Sequence, residues 1–439
     1  MIDTSVFQDK KVLFQTLGCK LNFAESSTIG KQLFEAGFQK CAPGEIPDVC
    51  IINTCSVTEA ADRKDRQAIK QIISKYPDAY IIVIGCYAQL KPDEIANIDG
   101  VDLILGTQQK FDIAEHLNKL PQLHKGSSAQ IEHTLRSGID KFFPSCTKGD
   151  RTRFWLKVQD GCDNFCSYCT VPIARGKSRN DSVKNTVRQA QYAVNQGAKE
   201  IVISGVNIGD FGKSTNETFF DLVKALDQIE GEFRYRISSL EPDLLSDEII
   251  QYTAQSKHFV PHFHIPLQSG CDDVLDLMKR HYHTDLYAAK IRAIKASMPD
   301  AFIGVDVIVG TNGETEEYFN QTYEFLKSLD ISQLHVFSYS ERPNTQALKL
   351  GNKVSTQEKK RRSDLLHQLS EEKRLLFYES QIGKELEILW EAPKKGETMK
   401  GFSDNYISVE RPYNKLLINT VTREKTTGFN ADRSALVIS

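Results

Sequence analysis

Short apolar runs alternate with helix-like stretches along most of this chain of 439 residues. Between residues 11 and 106, the runs KVLFQTL, VCIINT, YIIVIG and VDLIL are interleaved with amphipathic stretches at 22–36 and 60–75. This alternation is typical of βαβ units built around a parallel sheet. We therefore predict an α/β protein whose N-terminal domain is a doubly wound parallel sheet.

Six further strand-like runs recur with helices between residues 153 and 340: RFWLKV, EIVISGV, RYRISSL, HFHIPL, FIGVDVIVG and QLHVFSY. Six such units predict a partial (β/α)6 barrel with its chemistry at the carboxyl ends of the strands. The shorter runs that follow predict a small C-terminal β-barrel. We expect three domains, at 1–135, 145–375 and 376–439, with a polar linker in the later part of 107–150.

Composition narrows the class of protein. With 40% hydrophobic and 26% charged residues, the chain has the composition of an ordinary soluble globular protein. It contains no apolar run long enough for a membrane span and no basic, then apolar, N-terminal signal, so we expect a cytoplasmic protein. Ten cysteines in such a chain favour metal or redox chemistry over disulfides. The net charge of −3 gives no support for nucleic-acid binding, which would need local basic patches.

Three cysteines lie close together just beyond the first strand of the predicted barrel, in the pattern C-x-x-x-C-x-x-C: Cys162, Cys166 and Cys169. Structural zinc takes four ligands, and a 4Fe–4S cluster usually takes four thiolates. Three thiolates would therefore leave one iron open to another ligand, which indicates a reactive site. The alternatives are a chance cluster or half of a zinc site, but no second cysteine or histidine pair lies nearby in sequence.

A second group of cysteines is spread along the N-terminal domain. Cys19, Cys55 and Cys86 each follow a predicted strand directly. Because the carboxyl ends of parallel strands share one edge of a sheet, these thiols should converge, which predicts a second cluster with three protein ligands. Packing cysteines at three strand ends are the alternative. No ligand role is expected for the remaining cysteines: Cys41, Cys50, Cys146 and Cys271.

The three-cysteine loop, with Tyr168 before its last cysteine, resembles that of the radical S-adenosylmethionine (SAM) enzymes. The segments TLGCKLN, NTCSVT and IGCYAQ resemble the N-terminal domain of the methylthiotransferases, which are radical SAM enzymes with two 4Fe–4S clusters and a C-terminal TRAM domain. GFSDNY at 401–406 resembles the TRAM signature, which implies RNA contacts by Phe402 and Tyr406, the type of residue that stacks on bases. The resemblance spans nearly the whole chain.

The resemblance implies a reaction. One SAM is cleaved at the cluster on Cys162, Cys166 and Cys169, and the resulting 5′-deoxyadenosyl radical abstracts the C2 hydrogen of a modified adenine beside the anticodon of tRNA. The other cluster carries a sulfur that a second SAM methylates before its transfer to C2. A low-potential electron donor and a sulfur donor are expected as partners, although the sequence identifies neither.

The resemblance also implies SAM contacts at strand ends. Backbone groups around Gly205 would hold the methionyl amine, and Glu241 would accept hydrogen bonds from ribose hydroxyls, unless it is a surface residue before a proline turn. Gln268 or His264 would contact SAM or substrate, with core roles equally open. Two arginines, Arg175 and Arg179, follow the cluster loop. They could bind a carboxylate or a phosphate, since the guanidinium group donates two parallel hydrogen bonds, or they could be solvated charges on the loop.

Two further segments bear on function. The family has Gly-Phe-Pro-Gly-Glu-Thr after the fifth strand, whereas this chain has Gly-Thr-Asn-Gly-Glu-Thr at 310–315. We expect the turn to survive, because Asn-Gly forms tight turns, but its contribution to SAM affinity is open. The basic run at 359–362, on a predicted charged helix at 355–378, could contact phosphates or form a solvated helix face.

Assignment within the family depends on few residues. Lys20-Leu21, between Cys19 and Asn22, resembles the branch that acts on N6-threonylcarbamoyladenosine in tRNA. The branches that act on isopentenyladenosine in tRNA, or on an aspartate of a ribosomal protein, have other pairs there and remain alternatives. From another class of protein, a non-catalytic iron–sulfur RNA-binding protein with fully ligated clusters would share the cysteines.

Overall fold

A computed structural model of the chain describes residues 7–119, 128–148, 152–392 and 397–438. Its first sheet has six parallel strands in the order β2-β1-β3-β4-β5-β6. These strands are β1 (Lys11–Thr16), β2 (Gln39–Lys40), β3 (Val49–Thr54), β4 (Tyr80–Gly85), β5 (Leu103–Leu105) and β6 (Gln130–Glu132). The runs of β3 and β4 are buried along their whole length, as expected of central strands in a parallel sheet.

Helices cover both faces of this sheet, so that it is doubly wound as predicted. They are α1 (Lys20–Glu35), α2 (Glu59–Lys75), α3 (Cys86–Leu90), α4 (Pro92–Ala96) and α5 (Ile113–Asn118). Separate apolar clusters lie on the two faces: Ile51 and Ile82 belong to one, and Ile52 and Ile81 to the other. The side-chain hydroxyl of Thr58 accepts a hydrogen bond from the backbone N–H of Ala61 and caps α2.

The segment predicted to be a polar linker contains two short strands. Strand β6 lies within it and pairs with β5, and β7 (Ser145–Thr147) pairs antiparallel with the first strand of the central sheet. Each has three residues, too few to show an alternating pattern in sequence. These segments are strands because they pair with the edge of an existing sheet. The domain boundaries given above stay a prediction.

The central part of the chain forms the expected six-stranded partial barrel. Its parallel strands are β8 (Phe154–Lys157), β11 (Glu200–Ser204), β12 (Arg234–Ile237), β13 (His262–His264), β14 (Phe302–Val309) and β15 (Gln333–Ser338). Strands β8, β11 and β12 pair side by side, as do β13, β14 and β15. Single bridges, Tyr235–Phe259 and Ser239–His264, join the two halves.

Helices and two short strands complete this region: β9 (Gln159–Asp160), α6 (Val171–Arg175), β10 (Arg179–Asn180), α7 (Val183–Asn195), α8 (Phe219–Asp227), α9 (Asp247–Gln255), α10 (Asp272–Leu277), α11 (Thr284–Ser297), α12 (Glu316–Ser328) and α13 (Thr356–Glu379). Side chains of β8 alternate between two faces. Phe154 and Leu156 join the main apolar core, whereas Trp155 packs with Ala24 of α1. Helix α1 of the N-terminal sheet therefore packs against the partial barrel.

The C-terminal strands form a closed barrel in the order β16-β17-β18-β20-β19. They are β16 (Glu385–Trp390), β17 (Thr398–Ser403), β18 (Ser408–Pro412), β19 (Val421–Phe429) and β20 (Leu436–Ile438). Trp390, Met399 and Val409 are buried in its core. Across the part of the chain that the structure describes, no helix combines the length and apolar character needed to cross a bilayer.

Candidate active site

The three N-terminal thiols converge at one edge of the first sheet. Cys19 directly precedes α1, Cys55 follows β3, and Cys86 begins α3 directly after β4. Strands β1, β3 and β4 are neighbours in the sheet. A Cβ atom built on Gly18 would lie 2.6 Å from Cβ of Cys55, so the loops that carry Cys19 and Cys55 are in contact.

Burial raises the pKa of the Cys55 thiol to about 12, and the nearby Cys86 and Cys19 add to the shift. Burial also raises the pKa of Cys86. A metal ion binds the thiolate and releases the proton, which offsets this cost. Three convergent thiols are the soft donors that iron–sulfur clusters take, so the residues of this trio fit such a cluster.

Asn22 connects the loops of this trio. Its Nδ2 donates hydrogen bonds to the backbone oxygens of Leu17, at 3.0 Å, and Thr54, at 2.8 Å. The backbone N–H of Cys55 donates to Oδ2 of Asp65, 2.8 Å away. Burial raises the pKa of this aspartate to about 7.

A buried cluster of charges joins the N-terminal trio to the central loop. The carboxylate of Glu25 lies 2.7 Å from Nζ of Lys110, 3.2 Å from Nζ of Lys157 and 3.0 Å from Nη1 of Arg175. Asp160, two residues before Cys162, pairs with Lys157 at 2.6 Å and with Arg175 at 3.1 Å. Although burial acts to raise it, the pKa of Glu25 is lowered because three cations surround the carboxylate. Arg175 is thus a buried structural residue, not a solvated loop charge.

The central trio lies on a compact loop between β9 and α6. The N–H of Asn164 donates to Sγ of Cys162 and that of Val171 to Sγ of Cys169, each over 3.4 Å. Gly161 precedes the loop with φ +73°, and a Cβ there would be 2.0 Å from the carbonyl oxygen of Lys177. Glycine is therefore required at this position.

Burial raises the pKa of Cys162 and of Cys169 to about 12. Backbone N–H groups aimed at sulfur favour the thiolate and are typical of iron–sulfur sites. The residues present thus fit a cluster at this loop.

The central trio opens into a cavity of about 360 Å³. Glu241 and Gln268, both predicted from the sequence, line this cavity. Gln268 has φ +70°, an uncommon backbone conformation for a residue with a side chain. Val57 and Thr58, two and three residues after Cys55, also line it, so the loop that follows Cys55 reaches the same space.

The other predicted SAM contacts have different surroundings. Gly205 immediately precedes Val206 and Asn207, which line the cavity, and a Cβ on Gly205 would lie 3.0 Å from Oε1 of Gln159. Arg179 is not among the lining residues. Its guanidinium is buried and donates to the backbone oxygens of Arg175, at 2.6 Å, and Lys141, at 2.7 Å.

One cavity residue was not expected from the sequence. Arg280 donates a hydrogen bond from Nη1 to Sγ of Cys166 over 3.0 Å and another from Nη2 to Glu241. Its Nε donates to the hydroxyl of Tyr282 at 3.0 Å. No motif marks this arginine, which follows α10 and reaches the cluster loop only through the tertiary fold.

A group of three potential metal ligands lies on adjacent strands of the barrel. The nearest ligand atoms of His264, Asp306 and His335 all lie within 4.8 Å of one another. Nε2 of His264 is 2.7 Å from Oδ1 of Asp306. Asp306 also lines the cavity, so this group lies at its edge.

The aromatic residues expected to contact RNA pack near the central barrel. The rings of Phe402 and Tyr406 stack with centroids 5.2 Å apart, and Arg153 lies over Phe402 at 4.8 Å. Tyr406 also lies 4.9 Å from the ring of His262. Both aromatics are only partly exposed, and their role in RNA binding stays a prediction.

The side chains of the basic run on α13, at 359–362, form ion pairs and hydrogen bonds within the chain. Arg362 is buried and pairs with Glu314 at 2.8 Å, and Arg361 pairs with Glu316 at 2.7 Å. Nζ of Lys359 donates to the backbone oxygen of Tyr339, and Lys360 pairs with Asp364. These side chains stabilise the helix and its packing.

The turn at 310–315 is also held from within the chain. Asn312 is buried and donates from Nδ2 to the backbone oxygen of Ala347 at 2.9 Å, and Gly313 has φ +90°. The side chain of Glu314 accepts a hydrogen bond from the N–H of Gly310. The turn therefore persists without the ring and the proline of the family pattern.

Comparisons with known proteins agree with this arrangement. Residues 11–106 match the uncharacterized protein family UPF0004, and residues 156–326 match the radical SAM superfamily, which implies a 4Fe–4S cluster and SAM. A threonylcarbamoyladenosine tRNA methylthiotransferase, MtaB, of Bacillus subtilis is 37% identical over 91% of this chain and 89% of its own length. MtaB of Aquifex aeolicus is 35% identical over 91% and 96% of the two chains.

More distant proteins share the fold. The tRNA-2-methylthio-N(6)-dimethylallyladenosine synthase of Desulfitobacterium hafniense is 30% identical over 94% of each chain. The radical SAM methyltransferase TsrM of Kitasatospora setae has a TM-score of 0.58 at 12% identity, over 77% of this chain and 74% of that one. The last likeness concerns the fold alone. With two cysteine trios, a partial barrel and relatives at this identity over nine-tenths of its length, this chain belongs to the radical SAM methylthiotransferase family.

Proposed function

We propose that the protein methylthiolates C2 of N6-threonylcarbamoyladenosine beside the anticodon of tRNA, with two 4Fe–4S clusters and SAM as cofactors. The observation that carries the proposal is that the central cysteine trio lines a cavity that is also lined by Val57 and Thr58, which follow Cys55 of the N-terminal trio. The names of the relatives that are 35–37% identical support this nucleoside as the substrate. We assign RNA binding to residues 376–439, and propose domains at 1–135 and 145–375 for the two clusters.

A C–H bond on an aromatic ring has no acidity that side-chain bases can use. When bound, the clusters and SAM supply the electron transfer, radical chemistry and sulfur that such a bond requires. Cys162, Cys166 and Cys169 would hold one cluster, and Cys19, Cys55 and Cys86 the other. A cubane takes four ligands, so each trio leaves one position for a group from outside the chain.

The remaining residues of the site would bind SAM and hold the two cluster loops in position. Glu241, at the cavity wall, would accept hydrogen bonds from the ribose hydroxyls of SAM, and Arg280 holds its carboxylate in place. Val206 and Asn207, which follow Gly205, line the same cavity, where their backbone would receive the methionyl end, and Gln268 lines it too. The buried charges around Glu25 fix the N-terminal trio relative to the central loop.

The proposal is tested with anaerobically reconstituted protein, dithionite and SAM. The wild type is expected to release 5′-deoxyadenosine and to add a methylthio group to an anticodon stem-loop RNA that carries threonylcarbamoyladenosine. Cys166→Ala should abolish both, whereas Cys41→Ser, a buried thiol outside both trios, should retain them.

Other outcomes separate the alternatives. Product only from RNA with isopentenyladenosine, a substrate class to which the 30% identical relative points, would reject the proposed nucleoside. Methylthiolation only of a ribosomal-protein aspartate would reject tRNA as the substrate. Absence of 5′-deoxyadenosine from protein with full iron content would indicate a non-catalytic iron–sulfur protein.

A further inference from the structure

Two large apolar side chains are exposed at the mouth of the cavity beside the central trio. Val57 is 54% exposed and Phe337 is 50% exposed, although both line this cavity. Cys166 and Tyr339, which line the same cavity, are buried and lie deeper. A single exposed apolar side chain is ordinary, but a pair at the mouth of one cavity is the kind of surface that packs against a ligand.

The two side chains come from distant parts of the chain. Val57 lies on the loop between Cys55 and α2, and Phe337 lies in β15 of the partial barrel. Because side chains alternate along a strand, Phe337 shares a face of β15 with His335, which lies close to Asp306 of the cavity wall. A ligand held by both side chains would therefore contact the loop of Cys55 and the inner face of the barrel.

Hydrogen bonds fix the loop of Val57 relative to the end of β15. Nη2 of Arg342 donates to Oγ of Ser56 at 2.7 Å, and the backbone N–H of Glu59 donates to Oγ of Ser340 at 3.0 Å. Arg342 and Ser340 both belong to the segment that follows β15. The two apolar surfaces are therefore pre-organised, which lowers the entropic cost of holding a ligand between them.

We propose that Val57 and Phe337 together hold the adenine ring of the substrate nucleoside at the cavity mouth. The inference rests on the proposed function. At about 360 Å³, the cavity is at the small end of ligand pockets, with room for one molecule the size of a cofactor. A base that belongs to an RNA loop would therefore meet the mouth of the cavity.

The chemistry of the two side chains suits a base. Enzymes that modify a base take it out of its stack and place it between aromatic or apolar side chains, which replace the lost stacking partners. Val57 lies two residues beyond Cys55, so a base packed against it would lie on the loop of the N-terminal trio. The adenine of SAM is the alternative occupant, and the test separates the two adenines.

The test combines steady-state kinetics on the stem-loop RNA that carries threonylcarbamoyladenosine with SAM binding by equilibrium dialysis. Phe337→Ala should raise the KM for the RNA by about tenfold or more, as for the loss of an aromatic stacking partner, and leave SAM affinity unchanged. Phe337→Tyr keeps the ring and should resemble the wild type, while Val57→Ser should raise the KM less than Phe337→Ala. Phe34→Ala removes a 41% exposed ring of α1 outside this cavity and serves as the control.

The kinetics also have a second readout. The ratio of 5′-deoxyadenosine to methylthiolated product should increase in Phe337→Ala, because the radical more often misses a base that is held loosely. An unchanged KM for the RNA in a Phe337→Ala protein of wild-type iron content would overturn the inference and leave the proposed function intact. Loss of SAM affinity with an unchanged KM for the RNA would assign the pair to the adenine of SAM and overturn it as well.

A cross-linking experiment on the wild type does not depend on the folding of a variant. Irradiation of the protein with a stem-loop RNA that has 8-azidoadenosine at the target position should label a peptide that contains Val57 or Phe337. Cross-links confined to other peptides would overturn the inference. Absence of methylthiolated product from the wild type with the threonylcarbamoyladenosine RNA would instead refute the proposed function and the inference with it.

Discussion

Arg280 donates a hydrogen bond from Nη1 to Sγ of Cys166 across 3.0 Å. The same guanidinium also binds Glu241, and Tyr282 holds it through a hydroxyl anchored on the backbone oxygen of Pro266 at 2.8 Å. One buried cation thus connects a proposed cluster ligand with a proposed SAM ligand. Hydrogen bonds to cluster sulfurs raise the reduction potential, because they stabilise the more negative, reduced state.

Arg280→Met should therefore lower the potential of the central cluster by on the order of 60 mV, equivalent to about a tenfold change for one electron. An EPR-monitored redox titration of the reconstituted protein measures this shift. Lys279→Met removes an exposed cation from the neighbouring position and should leave the potential unchanged. Equal potentials for the wild type and Arg280→Met would contradict a role of Arg280 at the cluster.

Glu241 gives SAM binding a pH dependence. Burial raises the pKa of its carboxyl to about 7, with Arg280 acting against the shift. The carboxylate is the better acceptor for ribose hydroxyls, so SAM affinity should fall as the pH decreases from about 8 to about 6. Equilibrium dialysis with labelled SAM measures this affinity at each pH. Glu241→Gln should bind SAM more weakly at pH 8 and lose most of this pH dependence, and an unchanged pH profile would exclude Glu241 as the responsible group.

Asn22 should be needed for the N-terminal cluster. Its amide connects the loops of Cys19 and Cys55 through the backbone oxygens of Leu17 and Thr54. Asn22→Ala removes both hydrogen bonds, so iron per chain should decrease from about eight, the content of two cubanes, toward about four. Iron analysis after anaerobic reconstitution provides the count. Asn195→Ala, at an exposed helix end, serves as the control, and full iron content in Asn22→Ala would contradict this role.

Glu25 should stabilise the packing of α1 against the central barrel. Glu25→Gln leaves Lys110, Lys157 and Arg175 with one buried anion fewer, which should destabilise the protein by about 3–5 kcal/mol. The midpoint of urea denaturation measures the loss. Glu35→Gln, whose side chain is 66% exposed on the same helix, should change the midpoint little.

The pH dependence of stability gives an independent check on Glu25. Its pKa is lower in the folded than in the unfolded state, so its contribution is fully present above the unfolded value of about 4.3. That contribution is lost as the pH falls through the folded value. The stability difference between wild type and Glu25→Gln should therefore be constant near neutral pH and shrink in acid. A difference that grew in acid would contradict the lowered pKa.

Sequence patterns predict the parts of the site that follow from periodicity. The buried runs of β3 and β4 place Cys55 and Cys86 at the carboxyl ends of neighbouring strands. Because these strands pair in parallel, the two cysteines lie at the same edge of the sheet. The same reasoning placed Glu241 and Gln268 beside the cavity. Cys55 and Cys86 directly follow their strands, and Glu241 and Gln268 lie four residues beyond theirs, so the sheet largely determines their neighbours.

Residues whose partners are distant in sequence could not be predicted this way. Glu25 is bonded to residues up to 150 positions away, and Arg280 lies 114 positions from Cys166. The guanidinium of Arg179 lies 3.4 Å from the carboxylate of Asp160 and donates to backbone oxygens, and nothing in its local sequence reveals these partners. Strand β6 was missed because a run of three residues with a single apolar side chain, Ile131, forms a strand only where an existing sheet edge accepts it.

The identity of the modified nucleoside tests the proposed function most directly. Total tRNA from a strain that lacks this protein is digested and analysed by mass spectrometry, alongside tRNA from the same strain carrying the intact chain or Cys55→Ala. Methylthiolated threonylcarbamoyladenosine should disappear from the deletion strain, return with the intact chain and stay absent with Cys55→Ala. An unchanged level of that nucleoside in the deletion strain would contradict the assignment.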